Sequence, residues 1–295
     1  MSTPNPILLG KLQRSKLITR WASATVGVGE RRSKAKGPGM EFADHREYQP
    51  GDDLRRIDPH ILARFGATYI KEYDVYRQLP ITILIDASRS MDFGEPNKFQ
   101  YAKDITSALG FVGLAGGDQV QIGVGSGQKV HWSPRFHGAS RAHAMFQWID
   151  EQKTEGDGSF ASALRVAARH LQSKGLLIVL SDWWADDLES ELALLSATGQ
   201  ELWGLHIAAP EELDPGILGG GEVRLTDIET GHEVEMALDG PTLERYRKSF
   251  EAWRDQLSGL FSRARGRYLV TPTNHPADRL LLSDWRKLGM IGQSA

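Results

Sequence analysis

The chain has 295 residues, of which 40% are hydrophobic and 25% charged, with a formal net charge of −3 and no cysteine. This length allows one large α/β domain with an extension, or two modest domains, and the composition is that of an ordinary water-soluble fold. Without cysteine there are no disulfides, thiolate nucleophiles or cysteine-bound zinc and iron–sulfur centres, so any metal must be held by oxygen or imidazole.

Residues 1–40 carry eight basic side chains (Lys11, Arg14, Lys16, Arg20, Arg31, Arg32, Lys34, Lys36) against the single acid Glu30, a balance of +7 that leaves −10 for the rest of the chain. A short helix is expected through Leu8, Leu12 and Leu17. Beyond it Gly27, Gly29, Gly37, Pro38 and Gly39 interrupt any regular element, so residues 1–40 read as a basic, flexible segment. Residues 42–58 are dense in charge around the turn Pro50-Gly51, and such charges must be paired or exposed for use. Residues 68–77 mix aromatic and charged side chains and are expected as the sheet's outer strand; 41–78 thus form an extension ahead of a main domain at 79–295. Pro80 to Ile85 is an almost unbroken apolar, β-branched run, the pattern of a strand covered on both faces, and it ends on Asp86.

A helix is predicted from Asn97, with Tyr101, Ile105, Ala108 and Val112 at helical spacing and a stop at Gly116-Gly117. Asp118 to Gly125 alternates as a strand, and Lys129 to Trp132 pairs with it as a hairpin. Helices over roughly 139–152 and 160–173 lead to a second buried strand, 176–181, which ends in Ser181-Asp182. A helix near 187–198, a strand at 201–207, a small hairpin at 222–236, a long charged helix at about 241–264 and a strand at 266–270 complete the pattern. Alternating strands and helices imply an α/β fold with a doubly wound, mostly parallel sheet and an irregular amino-terminal extension. No apolar run approaches the roughly 18 residues that span a bilayer, and no signal-peptide pattern opens the sequence, so a cytoplasmic location is the expectation.

In such a sheet, ligands sit at the carboxyl ends of the strands. Asp86-Ala87-Ser88-Arg89-Ser90 places one carboxylate and two hydroxyls at alternate positions there, all hard oxygen donors. Asp182 ends a similar strand, and two such ends can share one ion.

These residues resemble a known family. Asp86-x-Ser88-x-Ser90, followed by a helix and later by Ser181-Asp182, is similar to the metal-ion-dependent adhesion site of von Willebrand factor A domains. Arg46-x-Tyr48-x-Pro50-Gly51-Asp52-Asp53-x-Arg55-x-Ile57-Asp58, then Ala63-Arg64 and Lys71-Glu72, resembles the signature of the bacterial domain-of-unknown-function family 58, with Pro59 where that family usually has tryptophan. The resemblance covers roughly residues 40–210. It implies a von Willebrand factor A-like, Rossmann-like sheet holding Mg²⁺ (or Mn²⁺ or Ca²⁺) through Ser88 and Ser90, with Asp86 and Asp182 bound directly or through water. A hydroxyl from the loop 156–160 completes such a set. Ser159 fits after a one-residue shift, and Asp157 is the alternative donor.

The implied function is a non-enzymatic, metal-dependent protein-interaction module. Its partner would offer an acidic side chain to the ion, and the resemblance points to a MoxR-type AAA+ ATPase. Arg46, Tyr48, Asp52, Asp53 and Arg55, together with Trp183 beside the presumed ion, are candidates for an interaction surface; ion pairs that pin the extension to the sheet are the competing reading for the charged segment. A Mg²⁺-dependent hydrolase or phosphoryl transferase with Asp86 as nucleophile is the alternative, although a haloacid-dehalogenase pattern would want an acid at position 88 and this chain has serine. His131, His137 and His143 fit no common ligand spacing. Nucleic-acid binding through residues 1–40 is a third, weaker reading without a supporting motif, and the absence of a Walker A sequence assigns any ATP use to a partner.

Overall fold

A computed structural model describes residues 4–20, 40–75, 78–154, 158–171, 173–226 and 233–293. The chain divides into two compact units, one formed by Met1–Val26 with Leu79–Ala295 and the other by Gly27–Gln78.

The larger unit begins with α1 (Pro6–Leu12), started by Asn5, whose side chain accepts from the Ile7 N–H at 2.9 Å. Leu12 is fully buried. Leu17, expected on the same helix, instead closes a short strand, β1 (Ser15–Leu17), which pairs antiparallel with residues 291–293 at the far end of the chain. The Arg20 N–H then donates to Glu201 at 2.7 Å and its guanidinium to the Gln200 carbonyl at 3.0 Å. The expectation of a flexible segment is therefore corrected for residues 4–20, which dock through two buried leucines and a strand ladder. The basic cluster Arg31 to Lys36 lies outside the described residues.

The smaller unit pairs β2 (Met40–Glu47) antiparallel with β3 (Tyr69–Val75), with a bulge between Phe42 and Asp44, and carries α2 (Pro59–Phe65) between them. Residues 69–75 are thus not the outer strand of the main sheet: their ladder is taken by β2. Asp58 caps α2, accepting from the His60 N–H at 2.8 Å and lying 2.9 Å from His45 Nε2. Pro59 at the first helical position suits its fixed φ, since that N–H has no intrahelical acceptor in any case.

The main sheet is built from β4 (Pro80–Asp86), β5 (Gln119–Ser126), β6 (Lys129–Trp132), β7 (Phe136–His137), β8 (Leu176–Ser181), β9 (Glu201–Ala208) and β12 (Arg267–Pro272). The strand order is β12-β9-β8-β4-β5-β6 with β7 also on β5. β12, β9, β8, β4 and β5 run parallel, while β6 and β7 are antiparallel to β5. This is the doubly wound, mostly parallel α/β sheet expected from the alternation of elements. The hairpin β10 (Glu222–Thr226) with β11 (Glu233–Ala237) stands apart from it, and β13 (Ile291–Gln293) is the partner of β1.

Side-chain alternation assigns the two faces. Ile81, Ile83 and Ile85 of β4, Leu176, Ile178 and Leu180 of β8, and Trp203, Leu205 and Ile207 of β9 share one core with α1, α3 (Lys98–Ala115) and α4 (Ala142–Asp150). Leu84, Leu177, Val179 and Leu202 face the other, formed with α5 (Phe160–His170), α6 (Leu188–Ala197) and α8 (Gly240–Arg263). Between β9 and α8 lies the one-turn helix α7 (Pro210–Leu213). Phe261 of α8 packs directly over Gly204 of β9, filling the space a Cβ would need. Gly204→Ala is therefore expected to lower stability by about 1–3 kcal/mol in a denaturant titration, the usual cost of overpacking a core. Among the described residues no helix is long and apolar enough to cross a membrane.

β4 feeds α3 and β5 on one side, whereas its neighbour β8 feeds α6 and β9 on the other. Connections that diverge from adjacent parallel strands open a crevice at their carboxyl ends, the place where doubly wound sheets bind ligands.

Candidate functional site

That crevice contains Asp86 and Asp182. Ile85 lies opposite Leu180 in the ladder, so Asp86 falls level with Ser181 and Asp182 one residue beyond. Both carboxylates are 1% exposed.

Asp86 is held at both oxygens. Its Oδ1 accepts from the Ser88 N–H at 2.9 Å, and its Oδ2 accepts from the Ser181 hydroxyl at 2.6 Å. Ser181 Oγ in turn accepts from the Trp183 N–H at 2.9 Å, so one hydroxyl joins the two strand ends. Ser88 and Ser90 stand at the start of a single 3-10 turn, Arg89–Met91, with their hydroxyls 3.0 Å apart. Burial, and next the charge of Asp182, push the Asp86 carboxyl up to about 7, while its hydrogen bonds from Ser181 and Ser88 pull the other way.

Asp182 Oδ1 accepts from the Trp184 N–H at 3.2 Å, and Oδ2 accepts from Lys98 Nζ at 2.8 Å. The Lys98 side chain is 1% exposed and also donates to Glu212 Oε1 at 2.6 Å. Burial by itself would lower the Lys98 pKa, but the two carboxylates outweigh it and raise it. Glu212 belongs to α7 and binds the Ala209 N–H at 2.8 Å with its second oxygen. The loop ahead of α3 closes on the same place: a Cβ on Gly94, whose φ is +87°, would come within 2.6 Å of Ala209 Cβ.

Of the residues expected from the sequence, Asp86, Ser88, Ser90 and Asp182 converge. Ser159 caps α5, its hydroxyl accepting from the Ala161 N–H at 3.3 Å. Asp157 lies outside the described residues. Trp183, placed on the contact rim, is corrected to the core. It is 0% exposed and meets Phe261 edge-on at 4.9 Å, so the exposed neighbour is Trp184, which stacks on Trp253 at 4.1 Å.

In the smaller unit Arg46 pairs with Asp52 at 2.9 Å, Asp52 also accepts from the Gln49 N–H at 2.8 Å, and Asp53 caps the turn Leu54–Arg56. Tyr48 is half-buried and Arg55 exposed. Most of these charges thus have local structural partners.

Ser181, Lys98 and Glu212 were not among the predicted site residues. Ser181 had a signal in its position at the strand end. Lys98 had one too, because a lysine in the first turn of a helix opposes the helix dipole and needs an acidic partner elsewhere.

The donor set fits a hard divalent cation: every candidate ligand atom is oxygen, and two carboxylates sit beside two adjacent hydroxyls. With all three acids ionised, Asp86, Asp182 and Glu212 against the single ammonium of Lys98 leave a buried charge of −2, which one divalent ion would cancel. Among the described residues no group of three or more His, Cys, Asp or Glu side chains could hold a metal, so the serine hydroxyls would be indispensable ligands. Among the described residues nothing at the site favours the hydrolase alternative. His206, level with Ser181 on β9, lies 2.5 Å from the Tyr268 hydroxyl through Nδ1, and burial lowers its pKa to about 3, which makes it a poor base.

The family profile described as "Protein of unknown function DUF58" matches residues 44–256. The chain is similar to "Uncharacterized protein Rv1480" of Mycobacterium tuberculosis, 26% identical over 261 residues that cover 85% of this chain and 80% of that relative. Among solved structures it is similar to the conserved hypothetical protein BatB from Bacteroides thetaiotaomicron, at 15% identity and a TM-score of 0.44 over 72% of this chain and 98% of that one. It is also similar to the SpRpn10 VWA domain, at 10% identity and a TM-score of 0.40 over 68% of this chain and 92% of that domain. The strand order, rather than these distant matches, defines the fold.

Proposed function

We propose, from the premise that this chain belongs to the family described as Protein of unknown function DUF58, that the crevice between β4 and β8 is a divalent-cation site through which it binds a partner protein. The observation that supports this reading most is the convergence of Asp86, Ser88, Ser90 and Asp182 on adjacent strand ends at the switch point, with negative charge left over. Ser88 and Ser90 would ligate through their hydroxyls, and Asp86 and Asp182 directly or through water. Mg²⁺ is the preferred ion, with Mn²⁺ and Ca²⁺ as alternatives. The bound ion would supply Lewis acidity with a coordination position left to solvent. A carboxylate of the partner would take that position, which makes the module selective for an acidic side chain; the partner class we assign, on resemblance alone, is a MoxR-type AAA+ ATPase.

The rim suits a protein contact. Trp184 is 50% exposed and Phe93 43%, one after each acidic strand end, and both are large apolar side chains of the kind enriched at interfaces.

Calorimetric titration with MgCl₂ and MnCl₂ tests the ion. The wild-type chain is expected to bind, and the Ser88→Ala/Ser90→Ala double variant to bind at least about 10-fold more weakly, the scale on which even outer-shell groups matter at metal sites. Capture of a MoxR-type ATPase by the immobilised chain is expected to be lost with chelator and in the double variant. Equal capture in all arms would overturn the metal-bridge reading.

A further inference from the structure

Lys98 enters the charge balance of the divalent-cation reading but has no role in it as a ligand. Its ammonium is sealed from solvent, bound to Asp182 at 2.8 Å and to Glu212 at 2.6 Å, and lies 5.6 Å from the centre of the Phe93 ring. Three segments meet on it: the end of β8, the loop ahead of α3, and α7. Two carboxylates brought together in a dry crevice repel each other strongly, and an unpaired buried charge is costly. A lysine in the first turn of a helix is also electrostatically misplaced unless acids face it. The two carboxylates that face Lys98 therefore explain its position, and Lys98 explains how they remain buried.

We propose that Lys98 is the resident counter-ion of the centre, a cation built into the chain that holds Asp182 and Glu212 in place before any divalent ion arrives. This inference rests on the divalent-cation reading and adds to it. Lys98 makes the centre preformed, so that ion binding completes the site without having to fold it. In this role it is a positioning residue: it fixes Asp182 through Oδ2 and ties α7 to the strand ends through Glu212.

Removing the ammonium leaves three acids with no internal cation, so the centre should come to depend on an external one. Thermal melts in chelator and in millimolar MgCl₂ test this for the wild-type chain, Lys98→Met, and Lys98→Met/Glu212→Gln, which restores the original charge balance while still depriving Asp182 of its ammonium. In chelator Lys98→Met is expected to melt about 10 °C below wild type, since a few kcal/mol shift a domain of this size by roughly that much. Mg²⁺ should then raise the melting temperature of Lys98→Met by about twice the wild-type shift or more, because binding to the folded state alone stabilises it by mass action. The double variant should melt between the two in chelator and keep the enlarged response to Mg²⁺. If Lys98→Met fails to fold under both conditions, the double variant decides.

A Mg²⁺ shift in wild type with no larger shift in either variant would overturn the counter-ion role alone. No Mg²⁺ shift in wild type or either variant would overturn the divalent-cation reading, and the counter-ion role with it.

Discussion

Trp183→Ala is expected to lower stability by about 3–5 kcal/mol, the range for truncating a large aromatic in a closed core. Trp183 is fully buried, packed edge-on against Phe261 at 4.9 Å and Phe160 at 6.4 Å, in the core that also holds Leu188, Leu192 and Leu257. Its backbone is unusual, with φ at +62°, a region bulky residues rarely enter and one that costs on the order of 1–3 kcal/mol. Packing of the ring offsets that strain and holds the turn that lets the Trp183 N–H reach Ser181 and, through Ser181, Asp86. Glycine tolerates this backbone, so Trp183→Gly should be no worse than Trp183→Ala, the reverse of the usual order at a buried position. Trp184→Ala should change stability by only about 1 kcal/mol, since a half-exposed ring stacked on Trp253 is lost. Urea unfolding of the three variants checks the set, and a Trp183→Ala chain within about 1 kcal/mol of wild type would contradict the anchoring role.

The same tryptophan pair shows how far the fold is legible in the sequence. The central strands were legible because β4 and β8 are apolar on both faces, which only a strand covered by helices on either side requires. Asp86 and Asp182 were legible as strand-end acids for the same reason, and the ladder placing Ile85 opposite Leu180 makes them neighbours. Which of two adjacent tryptophans turns inward was not legible, because it depends on a left-handed backbone that only the folded turn imposes. The pairing of Ser15–Leu17 with Ile291–Gln293 was likewise hidden: three-residue strands carry no periodic signal, and their partners are separated by nearly the whole chain. β3 was recognised as a strand but assigned to the wrong sheet, since mixed charged and aromatic composition says "edge" without saying of which sheet. Ser159 is a different case: a serine before an Ala-Leu helix looks the same whether it binds an ion or caps the helix, and a hydroxyl that accepts from the Ala161 N–H keeps a second lone pair.

Asp86→Asn is expected to make the metal-free chain more stable than wild type at about pH 8, by a few kcal/mol, because burial and the charge of Asp182 push the carboxyl up to about 7 from its ordinary 3.8. A carboxyl whose pKa is higher folded than unfolded holds its proton more firmly in the native state. Its contribution is therefore fully favourable below the unfolded value, near pH 4, and is lost as pH rises through about 7. In chelator the wild-type chain should lose stability between about pH 4 and about pH 7, while Asp86→Asn, which cannot ionise there, should lose less. Glu212, also raised by burial, moves in the same direction in both chains, so the difference between them isolates Asp86. The amide oxygen can still accept from the Ser88 N–H, and the Ser181 hydroxyl, which already accepts from the Trp183 N–H, can accept from one amide N–H by turning its own proton away from residue 86. Addition of Mg²⁺ should reverse the order at pH 8, because the ion would favour the ionised carboxylate of wild type and gain little from an amide. Denaturant titrations at several pH values, with chelator and with Mg²⁺, measure both effects. Parallel pH profiles for the two chains in chelator would mean that the buried carboxylate is not under the strain its surroundings imply. A stabilisation by Mg²⁺ equal in both chains would place the ion elsewhere on the molecule.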